Sequence, residues 1–324
     1  MREHFSCRYR RASKSSGGFS LRKSHVEWIS APQSSRKNAR GKTWLLAAVL
    51  LAAVMMVNGA ALAQAFNGMD RNDYPGDTML GALHKSFSYT SYWLNVPPGE
   101  KANTWTGKRA VLRDRGFGFM LLWNGRLDRD LKSGELKGKE AASMGRSDAA
   151  AAVAAAEREG FPRGALIFLD QEEGGRLLPE QLSYVLAWVD AVRRAGWKGG
   201  VYCSGLAVSG LPVDDGNGGT ITTAQDIERQ AGSWKIPLWV AREECPPSPG
   251  CAIESKPRLP SAALGLPDAV VWQYALSPRR PEFTGGCPKN YAEDNNCYAP
   301  GVYHGPYGFV DLDTAASADP SNGR

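Results

Sequence analysis

The chain has 324 residues, room for one large domain or two small ones. Its 43% apolar and 22% charged composition excludes disorder, collagen and coiled coil for the bulk of it. The formal charge of +6 belongs to one end: residues 1–65 carry 11 Lys/Arg against 2 Asp/Glu, and the remaining 259 residues carry 28 against 31. A mildly acidic body is poor footing for nucleic acid. Of four histidines only His84 and His304 lie in that body, which leaves little for a His-rich metal site.

The first feature in chain order is an uncharged apolar run, Trp44 to Val57 (WLLAAVLLAAVMMV), preceded by Arg40 and Lys42 and followed by Ala61-Leu62-Ala63-Gln64-Ala65. A basic flank, a short apolar core and a small-residue A-x-A exit make up a secretory signal. Cleavage is expected after Ala65, leaving residues 66–324 as one exported domain with no stable membrane span. The rival is an uncleaved anchor helix extended to Ala63. Export changes how the cysteines read, because disulfides persist outside the cytosol. Cys245 and Cys251 bracket CPPSPGC, and Cys287 and Cys297 bracket a second polar loop, so local pairing within each loop is expected. Cys203, inside the apolar GGVYCS, reads as a buried free thiol. A four-cysteine zinc site is the alternative, with spacings unlike the usual knuckles.

From Phe66 onward short apolar runs alternate with stretches of helical period. Strands are predicted at 66–70, 87–93, 117–123, 164–170, 199–203, 237–241, 269–274 and 308–313. Helices are predicted at 77–85, 106–115, 143–159, 179–195 and 222–233, the fourth opened by Pro179 and Glu180. Residues 243–268 and 275–307 show no clear helix. Alternation implies a parallel sheet, and eight strands in this length suit a closed (β/α)8 barrel, irregular in its second half. A doubly wound open sheet is the runner-up, although no GxGxxG follows the first strand.

The chemistry gathers where these strands end. Strand one ends in Asp70, strand four in Asp170-Gln171-Glu172-Glu173, and strand eight in the region of Asp311 and Asp313. Barrel closure sets strand eight beside strand one, so Asp70 and Asp311 become neighbours. Asp170 and Glu172, two apart, share a face of extended chain. Crowded acids raise one another's pKa, and a protonated carboxyl beside an ionised one is what glycoside cleavage needs. Other strand ends are aromatic: Tyr92 and Trp93, Trp123, Tyr202, Trp239, Trp272 and Tyr274. Of these, Tyr92, Trp123, Tyr202, Trp239, Trp272 and Tyr274 are the candidate sugar contacts, each equally readable as core. The D-x-E could instead be structural, capping the helix near Pro179 or pairing with Arg176. Glu173 could replace Glu172 as the inward acid. Asp73 and Asp77 read as turn and cap residues. Asp214, Asp215 and Asn217 among glycines suggest a polar turn more than calcium, since the EF-hand pattern is absent. No Ser or Cys has an obvious His partner, there is no P-loop, and no cofactor or metal is expected.

The order GMDRNDYPGD, IFLDQEE, GVYCSG, PLWVAR, VVWQY and VDLD resembles the family 25 glycoside hydrolases, secreted muramidases of the Chalaropsis type with an irregular barrel. The RNDYPG opening and CPPSPGC after LWVAR look closer to a related group of secreted glycoside-hydrolase-like barrels described as a domain of unknown function. The resemblance spans 66–314 and implies Glu172 as general acid and Asp170 as its partner on the acetamido group or ring cation. It implies Asp70 and Asp311 as supporting carboxylates. Its implied activity is hydrolysis of a β-1,4 bond of an N-acetylated sugar, with cell-wall polysaccharide as partner. A non-catalytic glycan-binding barrel and a chitinase-like hydrolase are the alternatives. For the latter, Phe168 stands where the fuller chitinase run has an Asp. RNDYPG, Glu173 and Gly174-Gly175 depart from the family 25 pattern, which bears on the acid assignment.

Overall fold

The computed structural model describes residues 64–132, 139–207, 220–244, 253, 255–275 and 310–324. The expected leader as far as Ala63, Cys245, Cys251, Cys287 and Cys297, and the Asp214–Asn217 turn lie outside the described residues. Among the described residues no helix is long and apolar enough to cross a membrane.

Eight strands close into a barrel in chain order. They are β1 (Phe66–Asp70), β2 (Tyr89–Trp93), β3 (Gly118–Asn124), β4 (Leu166–Asp170), β5 (Lys198–Ser204), β6 (Leu238–Ala241), β7 (Ala269–Ala275) and β8 (Asp311–Ala315). The expected barrel is therefore present, with one strand turned round. Strands β1 to β7 pair in parallel, but β8 is antiparallel to both β7 and β1. Asp311 reaches the mouth because β8 starts there; the strand runs inward from it, so Asp313 lies deeper, opposite Gly68.

Among the described residues seven helices accompany the strands: α1 (Leu80–Leu83), α2 (Arg109–Asp114), α3 (Asp128–Lys132), α4 (Lys139–Arg158), α5 (Pro179–Arg194), α6 (Thr223–Ala231) and α7 (Pro260–Leu264). The last occupies part of a segment in which the sequence shows no helical period. Local chemistry sets their ends. At α6 the Thr222 hydroxyl accepts from the Gln225 backbone N–H, and the Gln225 side chain accepts in return from the Thr222 N–H, both at 3.1 Å. Pro179 opens α5, where the Leu178 N–H donates to the Gln181 side chain at 2.8 Å. The Ala-rich α4 lies tight against α5: a Cβ on Gly145 would sit 2.4 Å from the Tyr184 carbonyl oxygen.

Alternation along each strand sends every second side chain inward, and in-register neighbours share a face. The inward set near the mouth comprises Asp70, Asn124, Asp170, Tyr202 and Gln273, with Asp311 opposite Asp70. Below them Tyr89, Phe168, Trp239 and Asp313 fill the interior, and Gly68 leaves room for the Tyr89 ring. Outward residues meet the helices. Cys203 is free and buried there, its thiol pKa pushed up by burial. At the opposite end, residues 318–324 wedge into the seam between β3 and β4. Ser321 donates its N–H to Phe119 O at 2.9 Å, and its carbonyl accepts from Leu166 N–H at 2.8 Å. Its hydroxyl accepts from Leu121 N–H at 2.9 Å. Asp319 caps the Phe119 N–H at 2.9 Å.

Candidate active site

The mouth opens into a cleft of about 200 Å³. Four of its lining residues are the acids read from sequence: Asp70, Asp170, Glu172 and Asp311. Asp70 and Asp170 are buried at 7% and 3% exposure, whereas Glu172 stands at the rim, open to solvent on its cleft side. The carboxyl pKa values rise accordingly. Asp70 is held well above the ordinary carboxylate range by burial, then by the charges of Asp311 and Glu172. Asp170 is also held well above it, by burial, then by Glu172 and Asp70. Burial raises Glu172, while its neighbour Asp170 pulls it back down. Neither Asp170 oxygen accepts from an amide, hydroxyl or ring N–H; what faces it is the Glu172 carboxyl. Sequence reasoning has Asp170 ionised and Glu172 protonated. Burial instead raises both carboxyls of the pair, and Glu172 is the member that meets solvent.

Gln273 ties the opposite wall together. Its amide nitrogen donates to Asp70 at 2.6 Å and to Asp311 at 3.4 Å, while its oxygen accepts from the Tyr202 hydroxyl at 2.9 Å. That bond lowers Asp70 against the trend of its surroundings. Deeper in, Asp313 accepts from Trp239 Nε1 at 2.9 Å, and burial raises its pKa well above the usual range. The Trp239 ring meets Tyr202 edge to face at 4.9 Å. Among the described residues no group of three or more His, Cys, Asp and Glu is arranged to hold a metal ion.

Of the six candidate sugar contacts, Tyr202 and Trp239 line the cleft. Tyr92, Trp123, Trp272 and Tyr274 do not. Tyr92 faces the helical layer, packing on Trp105, Phe119 and Phe161 and donating its hydroxyl to Glu159. Trp123 has the parity of the outward Phe119 and packs against the core from that side. Trp272 donates its ring N–H to Arg242 O at 2.9 Å and lies under the Arg258 guanidinium, with Tyr274 tilted against it. Trp93, adjacent to Tyr92, takes the cleft position instead, and Asn72, Leu122 and Gln273 complete the lining.

The competing structural roles fall to other residues. Arg176 faces Asp226 at 4.0 Å. Glu173 turns away from the cleft, accepting from the Asp128 N–H at 2.7 Å and from the Gln181 side chain. Asp73 holds Arg71 at 2.8 Å, and Asp77 accepts from Tyr74 at 2.8 Å.

A barrel with paired acids at its mouth directs comparison toward glycoside hydrolases, and residues 97–243 match one such family model. The match is to the Rv2525c-like, glycoside hydrolase-like domain. This bears out the likeness read from the motifs. Among solved structures, the chain is similar to an uncharacterized B. stearothermophilus protein: TM-score 0.49, 17% identity, 77% of this chain and 95% of that one. It is similar to the Mycobacterium tuberculosis Tat-secreted protein Rv2525c, solved with L-tartrate: TM-score 0.44, 11% identity, coverage 76% and 94%. It is also similar to a bacterial lysozyme from Streptomyces coelicolor: TM-score 0.40, 14% identity, coverage 79% and 97%. No curated protein matches the sequence.

Proposed function

We propose that the protein is an exported glycoside hydrolase acting on cell-wall glycan, cleaving a β-1,4 bond of an N-acetylated sugar. The observation that supports this reading is the Asp170–Glu172 pair, two neighbouring carboxyls of raised pKa in a cleft shared with Asp70 and Asp311. The pair holds its proton to higher pH than an ordinary carboxylate does, and the carboxyl that opens into the cleft is Glu172. Glu172 therefore protonates the leaving glycosidic oxygen. The positive charge that develops on the sugar ring favours an ionised Asp170 behind it, so Asp170 passes its own proton toward Glu172 as the bond breaks. Water then completes the hydrolysis and restores the pair. Tyr202 offers its ring to the sugar, with Trp239 packed edge to face beneath it. Export rests on the leader: removal after Ala65 would start the mature chain at Phe66, the first residue of β1.

The test is product analysis after incubation with peptidoglycan and with chitin oligomers, for wild type and Glu172→Gln. New reducing ends from wild type, with none from a folded, glycan-binding Glu172→Gln, are expected. If both proteins bind glycan and neither cleaves it, the enzyme reading fails and a non-catalytic glycan-binding barrel replaces it.

A further inference from the structure

Three residues that line the cleft take no part in the acid chemistry: Asn72, Trp93 and Leu122. Trp93 on β2 and Leu122 on β3 are register partners in neighbouring strands, 4% and 1% exposed, and together make an apolar floor. The Trp93 ring is held in place because its N–H donates to Arg71 O at 3.0 Å, the carbonyl immediately before Asn72. Asn72 is half-buried and fixed at two points. Its backbone oxygen accepts from Trp105 Nε1 at 2.8 Å, and its Nδ2 donates to Pro98 O at 2.9 Å. With Nδ2 pinned, Oδ1 turns away from Pro98, and among the described residues no group donates to it. The other amide of the lining, Gln273, already has its nitrogen on Asp70 and Asp311 and its oxygen on Tyr202. Asn72 therefore sets an open amide acceptor beside an apolar floor.

A sugar substituent that answers this corner needs both an N–H or O–H and a small apolar end. A hydroxyl brings the hydrogen without the apolar end, and an acetyl ester brings the methyl without the hydrogen. An acetamido group brings both on one short planar unit. We propose that Asn72 selects the N-acetyl substituent of the substrate, accepting the acetamido N–H at Oδ1 while Trp93 and Leu122 take the methyl. The inference rests on the glycan reading above and names the residues by which the cleft tells an N-acetylated unit from an unsubstituted one. Glu172 remains the proton donor, and Asp170 is left to face the ring cation. Asn72 lies in the RNDYPG segment, to which the likeness to glycoside hydrolases assigns no role. Its anchoring on Pro98 and Trp105 matters for affinity, because an amide already held in place loses little side-chain freedom when the sugar arrives. One neutral hydrogen bond of this kind is worth about tenfold in binding, and one buried methyl about fourfold.

The experiment is calorimetric titration of the full chain carrying Glu172→Gln, which prevents hydrolysis during the measurement, with and without Asn72→Leu. The probes are three β-1,4 tetramers. One is N-acetylglucosamine; one is cellotetraose, with a hydroxyl at each 2-position; one is cellotetraose acetylated on each O2, which keeps the methyl and lacks the N–H. With Asn72 intact, the N-acetylated tetramer is expected to bind about tenfold tighter than the ester and at least about fourfold tighter than cellotetraose. In Asn72→Leu the gap to the ester should close, while the N-acetylated tetramer still outbinds cellotetraose. General damage to the cleft would weaken all three sugars alike, so the ratio between acetamide and ester reports the contact itself. The comparison on the Asn72-intact protein needs no variant at that position, so it decides the matter even if Asn72→Leu does not fold. An ester that binds as tightly as the acetamide overturns this inference and leaves the glycan reading standing. An undiminished gap in an Asn72→Leu variant with unchanged near-ultraviolet circular dichroism overturns the assignment to Asn72. Cellotetraose binding as tightly as the N-acetylated tetramer overturns the apolar floor, and with it the N-acetylated substrate of the glycan reading. Failure of every sugar to bind overturns the glycan reading itself.

Discussion

Replacing Gln273 separates two ways of satisfying the cleft wall. The side chain is 1% exposed and serves three partners. In Gln273→Leu the buried Tyr202 hydroxyl loses its acceptor, which costs about 1–3 kcal/mol. Asp70 loses its 2.6 Å donor as well, but a carboxyl already biased toward its neutral form answers by taking a proton, which caps that loss near about 1 kcal/mol. The expected destabilisation is about 2–4 kcal/mol at every pH at which the protein folds. Gln273→Glu behaves differently. A protonated Glu has one O–H to give Asp70 and one carbonyl to receive Tyr202, so at acid pH it reproduces both strong bonds and loses only the long contact to Asp311. Once pH rises enough to ionise it, a further negative charge sits between Asp70 and Asp311, and stability falls below that of Gln273→Leu. Urea unfolding at about pH 4.5 and about pH 8 measures both variants, the two values lying just above and well above the ordinary carboxylate range. If Gln273→Glu is as unstable as Gln273→Leu at acid pH, the amide is not bridging Tyr202 and Asp70 in the orientation described.

Three further outcomes follow from the same geometry. Asp70, Asp170, Glu172 and Asp313 bind protons more tightly folded than unfolded; stability is therefore greatest at or below the unfolded carboxylate range near about pH 4 and declines as pH rises toward the folded values. A urea midpoint that climbs steadily from acid to neutral pH would contradict this. Gly68→Ala places a Cβ 1.9 Å from Tyr89 Cε2, so it should cost at least the about 1–3 kcal/mol of ordinary overpacking, and Gly68→Ala combined with Tyr89→Leu should recover most of it in a double-mutant cycle. Glu173→Gln weakens the acceptor for Asp128 N–H and Gln181, lowering stability by about 1 kcal/mol while leaving glycan turnover unchanged; a large loss of turnover would make Glu173 part of the chemistry.

The strand positions and the four acids were legible because burial writes apolar runs and a carboxylate at the end of such a run stands out. Parity was harder. Tyr92 and Trp93 are adjacent aromatics, and one residue of register decides which meets the cleft; Ser91 and Trp93 share the inward face of β2, a period-two signal the pair alone hides. Gln273 was visible as a lone polar residue inside VVWQYA, yet its role depends on partners from β1, β5 and β8. The reversal of β8 also had a trace. A parallel pair needs a crossover that carries the chain back to the far end, and 275–307 shows no helical period to do so. The wedge at 318–324 left none, because it is a short polar stretch with no apolar period, held by backbone bonds together with single contacts from Asp319 and Ser321.

The pairing of β1 with β8, together with that wedge, has a bearing on how the chain comes to be made. Synthesis delivers β1 first, and until residues 311–315 emerge its only strand partner is β2, through a short register of two residue pairs. The lower seam between β3 and β4 waits still longer, for Ser321. A nascent chain that ends before Asp311 thus holds seven strands with no closed interior to bury Tyr89 or Trp239, and closure waits for the last strand. This means that a chain arrested shortly before Asp311 forfeits the whole core rather than a single element.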